Sequence, residues 1–69
     1  MTKFEELRTN AGLTITQLAK EADISRATVE KIEKELPVRA AFAARVCNAL
    51  NRHLTNPVTY LDLGINTVR

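Results

Sequence analysis

Thr14-Ile-Thr-Gln-Leu-Ala-Lys-Glu-Ala-Asp-Ile-Ser-Arg-Ala-Thr-Val-Glu-Lys-Ile-Glu33 is the stretch that decides the fold. Two apolar rows run through it at helical spacing: Ile15, Leu18, Ala19 and Ala22, then Val29 and Ile32, with Thr28 beside them. Thr14 followed by Gln17 at the third position is a capping box, and Ser25 is a good N-cap residue. Only Asp23-Ile24-Ser25 stands between the two rows. The spacing therefore predicts two short helices joined by a tight turn. Such helices meet at a steep angle and need a small residue at the contact, and Ala19 supplies it.

The same punctuation continues in both directions. Upstream, Thr2 and Glu5 form another capping-box pattern, and Phe4, Leu7, Arg8 and Ala11 recur at helical spacing before Gly12 stops the helix. Downstream, Leu36-Pro37 ends the helix that began at Ser25, because a residue before proline avoids helical dihedrals. Val38, Phe42, Val46, Ala49 and Leu50 then mark the inward row of a fourth helix, with Asn51 as its stop. Asn56-Pro57 reads as an N-cap followed by Pro at the first helical position. That predicts one or two turns over 58–63, closed by Gly64, and a loosely held tail over 65–69. The fold class is all-α: one compact bundle of four to five short helices over residues 1–69.

Composition narrows the function. The 69 residues are 45% hydrophobic and 26% charged, with 2 Gly and 2 Pro, which argues against disorder and low complexity. The single Cys47 cannot form an internal disulfide, and the single His53 cannot complete a Cys/His zinc set, so the domain folds on packing alone. Cys47 reads as a small core residue and His53 as a surface residue near a helix end. No Gly-rich phosphate loop and no cluster of catalytic polar residues is visible. The reading is a non-enzyme without metal, cofactor or small-molecule substrate. No apolar run approaches a membrane span and the N-terminus has no apolar signal core, which gives a cytoplasmic reading.

The Thr14–Glu33 stretch resembles the DNA-binding unit of the phage repressor and Cro family of helix-turn-helix proteins. Leu7-Arg8 and Ala11-Gly12-Leu13-Thr14 resemble that family's first helix and lead-in; Leu36-Pro37-Val38, Val46 and Ala49-Leu50 resemble its fourth helix. The similarity covers roughly residues 3–52. It implies that helix 25–34 enters the DNA major groove while the helix that Thr14 caps lies across the backbone. Carried over residue by residue, the base-contacting positions are Ser25, Arg26, Ala27, Glu30 and Lys31. Periodicity agrees independently: with Val29 and Ile32 inward, Arg26, Ala27, Glu30, Lys31 and Lys34 are left on the opposite face. Arg26 can grip guanine O6 and N7 with two bonds, Glu30 can accept from cytosine N4, and Ala27 can touch a thymine methyl. The phosphate-contacting set is Thr14, Thr16, Gln17, Thr28, Lys34 and Arg39. Arg8 and Glu33 occupy positions that pair in this family, as a structural ion pair.

Four positions depart from the family pattern. Gln is common where Ile15 stands, Gly where Asp23 and Glu35 stand, and a capping Ser where Arg39 stands. The net charge of +2 is weak for a DNA binder: residues 1–37 hold six Lys/Arg against seven Asp/Glu, and the excess lies in Arg39, Arg45, Arg52 and Arg69. Val58, Tyr60, Leu61, Leu63 and Ile65 are too many apolar residues for one exposed turn. Two uses are open to them, packing back on the core and a dimer contact through Val58, Tyr60, Leu61 and Leu63. The functional expectation is a sequence-specific regulator of the Cro or repressor kind, from a phage or mobile element. It would bind double-stranded DNA as a homodimer on a pseudo-palindromic operator. The alternative from another class is a helix-turn-helix protein-interaction module such as an antitoxin or adaptor.

Overall fold

The computed structural model describes residues 2–68; Met1 and Arg69 lie outside the described residues. Helices α1 (Lys3–Asn10), α2 (Ile15–Ala22), α3 (Arg26–Glu33) and α4 (Ala40–Asn51) form the body, and two short strands, β1 (Val38–Arg39) and β2 (Thr67–Val68), close it. The helix starts follow the capping chemistry. Thr2 Oγ1 accepts from the Glu5 N–H at 3.1 Å. Thr14 Oγ1 accepts from the Gln17 N–H at 3.1 Å while Gln17 Oε1 accepts from the Thr14 N–H at 2.9 Å, a complete capping box. Ser25 Oγ accepts from the Thr28 N–H at 3.2 Å.

The ends of α1, α2 and α3 share one device. Gly12, Asp23 and Glu35 take positive φ of 77°, 57° and 62° after α1, α2 and α3. In each case the following residue donates its N–H to a carbonyl five positions back: Leu13 to Arg8, Ile24 to Ala19 and Leu36 to Lys31. Glycine adopts this left-handed conformation freely, whereas Asp tolerates it and Glu meets a steric penalty.

The two apolar rows and the row of α4 converge on one core that includes Phe4, Leu18, Val29, Val46 and Leu50, with Ala19 buried where α2 packs against α3 and α4. Phe42 departs from the core row. Helix α4 starts at Ala40, so Val38 lies on β1 and Phe42 lies in the first turn of the helix, only half-buried.

The C-terminal region differs from the sequence reading in two respects. Residues 58–63 form no helix; Thr59 and Asp62 instead cap each other reciprocally, with N–H to side-chain distances of 2.9 and 3.2 Å. Gly64 at φ 65° closes this single turn, with the Ile65 N–H donating to the Tyr60 carbonyl. Asn56 and Pro57 start no helix because Asn51 claims the next residue: its side-chain amide exchanges two 2.9 Å hydrogen bonds with the Val58 backbone. The clasp holds the segment against α4. The second difference is the tail expected to be loose over 65–69: its described part, up to Val68, is paired, and Arg69 lies outside the described residues. The Val38 N–H donates to the Asn66 carbonyl at 3.0 Å, and Val38 and Arg39 align in parallel with Thr67 and Val68. No helix among the described residues is long and apolar enough to cross a membrane.

Candidate nucleic-acid interface

Helix α3 has two contrasting faces. Val29 and Ile32 are buried on one; Arg26, Ala27, Lys31 and the C-cap Lys34 are exposed on the other, with Glu30 and Thr28 half-exposed beside them. Ser25 at the N-cap is exposed too, although its hydroxyl already serves the helix start and lies 2.9 Å from Thr28 Oγ1. The first turn of α2 presents Thr14, Thr16 and Gln17, all exposed. The capping box occupies Thr14 Oγ1 and Gln17 Oε1, so the NH2 end of Gln17 is its group suited to a phosphate.

The charges on this face are not equivalent. Arg26 Nε donates to Glu30 Oε1 at 3.0 Å, an i,i+4 pair on the outer surface. Glu33 is engaged by Arg8, and Glu21 accepts from His53 Nε2 at 2.9 Å. Among the described residues, Lys31, Lys34 and Arg39 enter none of these ion pairs. The positive charge on this side of the molecule that is free of such pairing therefore includes those three cations, while Glu33 at the end of α3 is offset by Arg8.

Arg39 stands at the N-cap of α4 with no side-chain capping bond. It lines a groove of about 260 Å³ between α3 and α4, together with Thr28, Lys31, Pro37, Phe42 and Val68. Phe42 has Arg45 Cζ 6.0 Å from its ring centroid, at the outer reach of a cation–π contact. Sequence reasoning missed this groove. Its far wall is the paired tail, and nothing local to Val68 announces that pairing.

The Arg8–Glu33 ion pair ties α1 to the end of α3. Arg8 Nε donates to Glu33 Oε1, and Arg8 Nη1 donates to the Leu13 carbonyl at 2.7 Å. Both side chains are mostly shielded, 14% and 11% exposed. The pair fixes the end of α3 against the body, so the outer face of α3 is presented by a supported helix.

The apolar residues of 58–65 divide. Leu63 is buried in the core, Val58 and Tyr60 are partly buried against it, and Leu61 is left 77% exposed. Cys47 is buried under this segment; burial pushes its thiol up from 9.0 to about 11, and the Asp62 carboxylate adds to the effect. That makes the thiol inert at neutral pH. No group of three or more His, Cys, Asp or Glu among the described residues is placed to hold a metal ion.

No curated protein and no solved structure matches the chain. Residues 4–55 match the family described as Helix-turn-helix, a match that covers all four helices except the N-terminal residue of α1. The chain belongs to that helix-turn-helix family, of the phage repressor and Cro type, whose members are DNA-binding regulators.

Proposed function

We propose that the protein is a sequence-specific transcriptional regulator of the Cro or repressor kind, acting in the cytoplasm without enzymatic activity. The observation that supports this reading is the outer face of α3: Ser25, Arg26, Ala27 and Lys31 are exposed and Glu30 is half-exposed, on a helix whose other face is locked into the core; side chains on such a face would look toward base edges. Thr14, Thr16, Gln17, Thr28, Lys34 and Arg39 flank that face as the phosphate-contacting set. Homodimers would place two such helices in successive major grooves, about one helical turn apart on a pseudo-palindromic operator. Leu61 is the exposed apolar residue best suited to the dimer contact, with Val58 and Tyr60 at its edge; Leu63 already serves the core and would support the contact from beneath.

The test is selection of bound duplexes from a random pool, followed by titration on the selected and scrambled sites at two salt concentrations. Arg26→Ala should cost about 1–3 kcal/mol on the selected site and much less on the scrambled one. Arg39→Ala should weaken both alike and flatten the salt slope by about one unit. Equal weakening by Arg26→Ala on both duplexes would make Arg26 a backbone contact. The carboxylate of Glu30 on the reading face favours a second reading, a protein-interaction module, and selection of no duplex at low salt would establish it over the first.

A further inference from the structure

We propose that Glu30 is a positioning residue: it holds the Arg26 guanidinium for a two-bonded grip on guanine and so sets specificity at one base pair without reading a base itself. This rests on the regulator reading above. The geometry that carries it is the contact of Arg26 Nε with Glu30 Oε1 at 3.0 Å. A guanidinium has five N–H donors in a planar fork. With Nε–H committed to the carboxylate, the donors that remain are those of Nη1 and Nη2. They form the parallel edge that matches O6 and N7 of guanine.

Helix stability does not account for the pair. The more favourable i,i+4 order has its acid toward the N-terminus, and cations are disfavoured in the first turn by the helix dipole, so the reverse order contributes least. Here Arg26 is the first residue of α3 and the acid follows it. Both side chains are also well exposed, 65% and 40%, so the free protein gains little from the contact. Its value lies in the complex, where exclusion of water strengthens a charge-assisted hydrogen bond. The carboxylate has a second effect. It cancels the charge of Arg26 locally and repels phosphates, so Arg26 is discouraged from settling on the backbone of non-operator DNA.

Three variants separate reach from charge. Glu30→Ala removes both, Glu30→Gln keeps the acceptor and loses the charge, and Glu30→Asp keeps the charge but is one methylene too short. Each is titrated against duplexes carrying all four base pairs at the position whose preference Arg26→Ala abolishes. A parallel series replaces that guanine by 7-deazaguanine, which lacks the N7 acceptor. Positioning predicts that Glu30→Ala and Glu30→Asp both lower the guanine preference by about threefold to fivefold, the upper end of what an exposed pair contributes. Glu30→Gln should retain much of the preference, and 7-deazaguanine should penalise the wild type more than Glu30→Ala. Adding Glu30→Ala to Arg26→Ala should change the preference no further. Glu30→Ala should also tighten binding to scrambled DNA and steepen its salt slope by up to about one unit. An unchanged guanine preference in Glu30→Ala, or a shifted preference at a different base pair, overturns the positioning role and leaves the regulator reading intact. Wild-type protein that selects no duplex refutes the regulator reading itself.

Discussion

Replacing Arg8 by Met should destabilise the domain by about 2–3 kcal/mol. Arg8 makes two contacts at once, Nε to the Glu33 carboxylate and Nη1 to the Leu13 carbonyl. Methionine keeps the bulk of the stem and removes both donors. The Glu33 side chain, 11% exposed, is then a mostly shielded carboxylate without its cation. Breaking a fully buried pair costs about 3–5 kcal/mol and an exposed one about 1 kcal/mol or less. An 11–14% exposed pair falls between these limits, and a charged hydrogen bond of about 1.5–3 kcal/mol points to the same range. Glu33→Gln should cost less, about 1 kcal/mol, because Arg8 keeps the Leu13 carbonyl and the amide oxygen still accepts from Nε. The double variant Arg8→Met, Glu33→Met should recover part of the loss, since no unpaired charge remains. A domain of this size has roughly 3–10 kcal/mol in total, so Arg8→Met removes a large share of it. Urea denaturation of the four proteins measures the cycle, and a melting-temperature drop on the order of 10–20 °C should accompany it. A loss below about 1 kcal/mol for Arg8→Met, or a loss for Glu33→Gln as large as for Arg8→Met, would refute the argument.

Three further outcomes are expected. Glu35→Gly should stabilise the domain by about 0.5–1 kcal/mol in the same denaturation assay, because relief of the left-handed strain at φ 62° exceeds the entropy cost of glycine; Asp23→Gly should gain less, since Asp tolerates that conformation better. Cys47 holds its proton longer in the folded protein than in the unfolded chain, so its contribution is intact below 9.0 and is lost as the pH rises from there to about 11; the loss there should approach 2–3 kcal/mol, on the order of two pKa units, and be missing from the pH profile of Cys47→Ala. Leu61→Ser should lower the dimer fraction in sedimentation while leaving helicity unchanged, and an unchanged dimer fraction would place the contact elsewhere.

What the sequence made legible here is what acts over a few residues. Thr14 and Gln17 cap α2 across three positions, and Gly12 marks a helix end by its own backbone freedom. Val29 and Ile32 reveal the inner face of α3 and, by subtraction, the outer one. The paired tail, the Asn51 clasp and the groove beside Phe42 were not legible for a common reason. Each depends on which distant backbone groups come to lie side by side, and the residues concerned have no distinctive local pattern. Asn51 looks like a helix stop whether or not its amide meets Val58. Val68 looks like a loose terminal residue until Thr67 is set beside Val38. The shared spacing of Val38, Phe42 and Val46 predicts a core position for Phe42; α4 starts only at Ala40, so Val38 is buried from β1 instead and Phe42, in the first turn, is left half-buried.

Arg26 and Glu30 lie between these cases. Their spacing is visible in the sequence, but opposite charges at i,i+4 serve equally for a surface pair and for two separate base contacts. The spacing alone assigns neither role. The contacting atom bears on the proposed role: contact through a terminal Nη would occupy the edge proposed to grip guanine, whereas contact through Nε leaves that edge open. The exposed face of α3 is thus legible from apolar periodicity alone. The division of labour within it depends on a choice among the nitrogens of one side chain, which no residue pattern encodes.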